Sequence, residues 1–166
     1  GLITAPAHIF LSAGNEFTDK TRFVHQMWQT DFTYFKILGW GWYYLSTVLD
    51  DYSRYIVHWE LCSSMKADDV KRTIDMAIKK AKLITKQKPK LLSDNGSCYI
   101  ANELKSYLKD NYQMEQVHGR PNHPQTQGKI ERYHRTMKNV VKLDNYFAPE
   151  ELEAALEKFV YRYNNE

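Results

Sequence analysis

Cysteine is scarce in this 166-residue chain: Cys62 and Cys98 are the only two, they lie far apart, and no CxxC spacing joins them. That excludes a disulfide scaffold and a zinc ribbon, leaves each as an isolated thiol, and points to a cytoplasmic compartment. No apolar run approaches the roughly 18–20 residues of a membrane span, and no signal-peptide pattern opens the chain. The aromatic stretch at residues 40–45 is far too short to cross a bilayer. A large excess of one charge sign is also lacking. At a net +3, total charge alone identifies no polyanionic partner, and the distribution of charge must decide.

What is present is aromatic volume, with 14% Phe, Trp and Tyr, and a length that suits one domain burying most of its unfolded surface. Residues 1–25 are weakly periodic and read as an arm or linker, with a packed core expected over 26–166. Both ends read as cuts from a longer protein.

From Met27 to Phe35 apolar and polar residues alternate, Trp28, Phe32 and Tyr34 against Gln29, Asp31 and Thr33, which is strand periodicity. Gly39 and Gly41 mark a turn before a mostly apolar strand, residues 42–49, of the kind covered on both faces. Asp50 and Asp51 carry turn chemistry, and residues 54–62 alternate again, completing a three-strand meander. A helix follows, with Ser63 or Ser64 as its cap, Asp68 and Asp69 in its first turn, and Val70, Ile74, Ala77, Ile78 and Ala81 as its apolar stripe. Residues 90–93 form a short strand ending at Asp94. Ile100, Leu104, Tyr107 and Leu108 mark a second helix, and residues 113–118 a further strand. A long helix over 125–143 and a last one carrying Leu152, Leu156, Phe159 and Tyr163 complete the order β-β-β-α-β-α-β-α-α. The expected fold class is α/β: a mixed five-stranded sheet, three antiparallel strands then parallel ones, with helices on both faces.

Three acids stand out within that order. Asp31 lies mid-strand, where Asp is disfavoured, so it asks for a reason. Asp94 opens an Asp-Asn-Gly turn at a strand's carboxyl end, where functional groups of such sheets collect. Glu131 heads a row of His134, Arg135, Lys138 and Lys142 on the long helix, three, four, seven and eleven residues on. Two Asp and one Glu suit hard divalent cations, and a pair of such ions stabilises both the attacking and the leaving oxygen of phosphoryl transfer. Lys129, Arg132, Arg135, Lys138 and Lys142 are the candidate contacts to a DNA backbone. Taken singly, each acid also has a plain reading as a strand, turn or helix-surface residue.

In order, WQTDFT (residues 28–33), SDNGSCY (93–99) and QGKIERYHRTMK (127–138) resemble the catalytic core of DDE transposases of bacterial insertion sequences and of retroviral integrases. LDDYSRYIVHWEL (49–61) looks like the second and third strands of that core, and the final Tyr-Asn-Asn-Glu like the start of a further transposase motif. The resemblance covers residues 26–166. It implies an RNase H-like fold in which Asp31, Asp94 and Glu131 hold two Mg²⁺ or Mn²⁺ ions. It further implies cleavage and strand transfer of DNA, with transposon ends and target DNA as partners, a homo-oligomer as the active complex, and a DNA-associated place in the bacterial cytoplasm. Thirty-six residues separate Asp94 from Glu131, one more than the commonest family spacing, so a loop insertion is expected. Gln127 stands where Asn is usual, and Cys98 where an acidic residue is often found. No zinc-binding pattern precedes the core, which favours the transposase branch.

The other readings differ in identifiable residues. An RNase H without strand transfer would draw a carboxylate from the first helix, where Asp68, Asp69 and Asp75 sit; the helix dipole already explains the first two. A di-iron protein would use Glu115-x-x-His118 and Glu131-x-x-His134 on facing helices, which a strand at 113–118 excludes. A non-catalytic DNA-binding or multimerisation domain would have no need of the three acids. His118 and His123 are the histidines expected nearest the site.

Overall fold

The computed structural model describes residues 20–119, 127–141 and 146–166. Within them run β1 (Met27–Ile37), β2 (Gly41–Asp50), β3 (Ile56–Cys62), α1 (Ala67–Lys80), β4 (Lys90–Ser93), α2 (Ser97–Ile100), α3 (Asn102–Tyr112), β5 (Gln116–His118), α4 (Gly128–Val141) and α5 (Pro149–Asn165). The strands form one sheet in the order β3-β2-β1-β4-β5. β1, β2 and β3 pair antiparallel, while β4 joins β1 and β5 joins β4 in parallel. This is the mixed sheet that the element order predicts. Gly39 and Gly41, at φ +82° and +96°, let the β1–β2 connection turn through a backbone region closed to most side chains.

The alternation of β1 sets both layers. Trp28 and Phe32 point with Val48 into a core closed by Val70, Ile74, Ala77 and Ile78 of α1, Tyr99 of α2, and Leu104 and Leu108 of α3. On the opposite face Phe35, Ile37, Leu45 and Leu49 meet Ile130, Tyr133 and Met137 of α4 and Leu152, Leu156 and Val160 of α5. The face of Gln29, Asp31 and Thr33 is therefore polar at one end only and is covered by α4. Gln29 and Thr33 are buried there rather than solvated.

Local details depart from the periodicity. Neither Ser63 nor Ser64 caps α1: Lys66 is the N-cap residue. Its backbone N–H donates to Asp69, which also accepts from the Ser64 hydroxyl, so the acid three residues in does the serine's work. The expected second helix breaks at Ala101, whose extended backbone separates α2 from α3. Ile100 is thereby turned outward, and Tyr99 fills the core instead. Pro149 opens α5 at a position where its missing N–H costs nothing. Of the expected 125–143 helix, residues 125, 126, 142 and 143 lie outside the described residues, as do residues 1–19 of the expected arm. Thr21 and His25, from the rest of that arm, donate to the carboxylates of Asp51 and Asp50.

Candidate active site

Strand register brings the two aspartates together. Gln29 of β1 pairs with Leu92 of β4 in parallel, so two residues further along each chain Asp31 lies beside Asp94, where β4 has ended and β1 runs on. Asp94 is held by its own turn. Its Oδ1 accepts the Gly96 N–H at 2.8 Å, and a Cβ at Gly96 would stand 3.0 Å from that oxygen, so a side chain there would press on the carboxylate. Its carbonyl accepts from the Ser93 hydroxyl and lies 3.1 Å from His118 Nδ1. Gly119 N–H closes the strand end onto the Ser93 carbonyl. His118 thus supports the Asp94 loop through the backbone; His123 lies outside the described residues.

The first turn of α4 is fastened to β1 and to the β2–β3 turn by a buried polar network. Gln29 accepts the Ile130 N–H through Oε1 and donates through Nε2 to Asp51 at 2.6 Å. Gln127 donates to the Thr30 carbonyl, and Lys129 Nζ reaches both the carbonyl and the carboxylate of Asp51, at 2.6 and 3.1 Å. Gln29 therefore satisfies one of the N–H groups that a helix start leaves orphaned, and the same bonds fix the first turn of α4, which carries Glu131, to β1. Asp51 is a turn residue, as expected, whereas Asp50 is the last residue of β2, and both are buried.

Burial pushes the Asp31 carboxyl up to about 7, and the negative charges of Asp94 and then Glu131 push the same way, against the Phe32 backbone N–H. The three carboxylates thus act on one another electrostatically. They do not close around a point: among the described residues no three His, Cys, Asp or Glu side chains form a metal-holding group. The donor set is nonetheless oxygen only, anionic and partly desolvated, which fits Mg²⁺ or Mn²⁺.

His134 sits 3.8 Å from Asp31. It does not share the outer face of Glu131 as expected; it is buried, because it lies four residues beyond Ile130 and so on the apolar stripe. Burial, helped by the Lys138 charge, holds its pKa down at about 4, so the ring is neutral near pH 7 and the contact is not an ion pair. Of the candidate DNA contacts, Arg132 and Arg135 are exposed, as is Glu131. Lys129 is engaged with Asp51, and Lys138 lies over the Tyr34 ring at 4.6 Å from its centre. Lys142 lies outside the described residues. Cys98, beside Asp94, has its thiol raised to about 11 by burial first and by that acid second, so it stays protonated; both cysteines are free.

The acids of α1 are occupied elsewhere. Asp69 closes the helix start and pairs with Arg72, Asp68 is paired with Lys71, and Asp75 accepts the hydroxyls of Tyr107 and Tyr112. Gln29, Asp51 and the burial of His134 escaped the sequence reading. The spacing of His134 from Ile130 was the one available signal.

Two family models, both described as an integrase core domain, match residues 23–124 and 112–166. Among solved structures, the chain superposes on a chain of the simian T-cell lymphotropic virus intasome with a TM-score of 0.68 at 20% identity, covering 86% of this chain and 50% of that one. It thus spans half the length of that relative. The HTLV-2 integrase catalytic core domain in complex with magnesium gives 0.60 at 21% identity, over 83% and 85% of the two chains. The Mos1 transposase catalytic domain with Mg gives 0.70 at 14%, over 82% and 71%. The architecture is the RNase H-like fold of these cores.

Proposed function

The chain belongs to the integrase core domain family, and on that premise we propose that it is the catalytic core of a DNA transposase or integrase, which cuts DNA strands and transfers their 3′ ends. Family and fold fit polynucleotidyl transfer in general. The observation that carries the finer reading is the position of Asp31, a mid-strand acid whose proton is held by burial and by two other acids from β4's end and α4. Nothing in the packing of the fold accounts for that concentration of negative charge, whereas a cation site does.

Asp31, Asp94 and Glu131 are the proposed ligands. Mg²⁺ or Mn²⁺ bound there, two ions in the active complex, would supply Lewis-acid stabilisation of the charge that develops on the attacking and leaving oxygens. This chain's own part is to hold the ligands apart but aimed. Gln29, Gln127 and Lys129 anchor the first turn of α4, and neutral His134 packs against Asp31 without competing for its charge. Asp31 must release its proton to bind a cation, which ties affinity to pH. Arg132 and Arg135 face outward to take phosphates, with Lys138 and Lys142 as the further proposed DNA contacts. Residues 26–166 are the proposed core, entered from 1–25. The proposed partners are transposon ends and target DNA, with a homo-oligomer as the active assembly in the bacterial cytoplasm. Among the described residues no helix is long and apolar enough to cross a membrane.

The test is a strand-transfer assay with Mn²⁺ on a labelled DNA end, run beside cleavage of an RNA–DNA hybrid. Joined DNA products, lost in Asp31→Asn, are expected. Hybrid cleavage without joining would convert the reading to an RNase H, and neither activity in an assembled full-length protein would leave a DNA-binding or multimerisation domain.

A further inference from the structure

The β2–β3 turn joins three segments, and one of them is the stretch ahead of β1 that the sequence marks as an arm. Residues 20–26 are bonded to that turn at two points. The His25 N–H donates to Asp50 Oδ1 at 2.8 Å, and the Trp28 indole N–H donates to His25 Nδ1 at 3.0 Å. The Gln26 side chain accepts the Arg22 N–H at 2.6 Å. These bonds hold His25 at φ +65°, a left-handed backbone that residues other than glycine rarely adopt. The second point is Thr21, a buried residue whose hydroxyl donates to Asp51 Oδ2 at 2.6 Å.

The same carboxylate serves two elements of the acid site. Its Oδ1 accepts from Gln29 at 2.6 Å, and its Oδ2, shared with Thr21, accepts from Lys129 at 3.1 Å. Gln29 stands two residues before Asp31 on the same face of β1 and holds the Ile130 N–H; Lys129 stands two residues before Glu131. Both oxygens of Asp51 are taken, so the carboxylate cannot turn toward one partner without loosening the others. A buried cluster that served stability alone could sit anywhere in the fold. This one grips the chain beside two of the three acids, and a cation site tolerates displacement of its ligands by only about 0.5 Å.

We propose that Thr21 is a positioning residue for the acid site: by fixing the Asp51 carboxylate, the docked arm sets the first turn of α4, and with it Glu131, for cation binding. The proposal rests on the function proposed above and adds to its machinery a segment that precedes the sheet. Thr21 bonds to none of the three acids and acts only through Asp51. Loss of a group bonded directly to a metal ligand weakens metal affinity about 10–100-fold, and Thr21 stands further out, so a loss of about fivefold is expected.

The experiment measures Mn²⁺ affinity of the whole chain from the electron paramagnetic resonance signal of the free ion, well below each variant's melting point, together with hydrogen exchange of the Ile130 amide. Thr21→Val, which keeps the shape and loses the hydroxyl, should weaken the Mn²⁺ binding that Asp31→Asn abolishes by about fivefold and speed Ile130 exchange. Thr21→Ser should restore both, and Thr21→Ala replaces the valine variant if that one misfolds. Tyr107→Phe is the control for stability alone: it removes a hydroxyl bond to Asp75 between α1 and α3, on the other face of the sheet. It should lower the melting temperature and move neither readout. Unchanged Mn²⁺ affinity and exchange in Thr21→Val overturn the proposal, as does an equal loss in Tyr107→Phe or a serine variant that behaves like valine. If wild type holds no Mn²⁺ that Asp31→Asn removes, the transferase reading fails, while faster Ile130 exchange in Thr21→Val still shows the arm setting α4.

Discussion

Asp51, in the β2–β3 turn, and Asp31, on β1, are two shielded carboxylates with opposite surroundings. Asp51 accepts from the Thr21 hydroxyl, the Gln29 amide and the Lys129 ammonium, so its charge is met from three directions. Asp31 meets a single backbone N–H, two like charges and a neutral histidine. The first arrangement stabilises the fold; the second stores uncompensated charge where a ligand can use it. Sequence alone places Asp31 mid-strand and Asp51 in a turn, and only their partners separate structure from chemistry.

The sharpest way to break this contrast is to remove charge from each acid in turn. Asp31→Asn should cut strand transfer by more than the roughly 100-fold that losing an outer-shell partner costs a metal site. It should also abolish the rise in melting temperature with Mg²⁺ or Mn²⁺, while raising or preserving metal-free stability because it relieves repulsion. Equal metal-induced shifts in wild type and variant would count against the site. Asp51→Ala should behave in the opposite way. It leaves a buried amide, a hydroxyl and an ammonium without their acceptor, a loss of about 3 kcal/mol, and so lowers the melting point by roughly 6–12 °C. A near-neutral result by thermal or urea unfolding would show that water replaces the carboxylate and that the α4 anchor is weaker than its geometry suggests.

Titration sharpens the comparison without mutating the anchor. Asp31 has a raised pKa in the folded chain, so its contribution to stability is complete below the unfolded value near 4 and is lost as pH climbs through about 7. Metal-free wild type should therefore lose stability relative to Asp31→Asn between pH 4 and 7, and Mn²⁺ affinity should rise over the upper part of that range. A flat difference between the two unfolding curves would mean that Asp31 is ionised throughout. The smallest effect is expected on the outer face of α4, where Arg135→Ala should leave stability within about 0.5 kcal/mol. It should lower the slope of log affinity for duplex DNA against log salt by about 0.9; an unchanged slope would return Arg135 to an ordinary solvated face.

Much of this was legible in the residues. The alternation through Asp31, the short β4 ahead of Asp94 and the meander of β1 to β3 all follow from local pattern, because each strand shows one side chain in two to each layer. That the sheet is mixed follows from a meander succeeded by crossover helices. Three things were not legible. The polar side of β1 is buried because α4 and α5, more than 90 residues later, pack on it, and alternation says nothing about what covers a face. His134 looked like one more polar group on a cationic helix until its spacing from Ile130 was weighed. Lys129 read as a phosphate contact, yet the nearby Asp51 turn takes its ammonium, a pairing 78 residues apart in the chain.

A crystal of the chain soaked in Mn²⁺, with the anomalous peaks located, tests the central claim most directly. A peak bridging the Asp31 and Asp94 carboxylates within reach of Glu131, and absent in Asp31→Asn, is the expected result. Peaks only elsewhere, or one that survives the substitution, would contradict it.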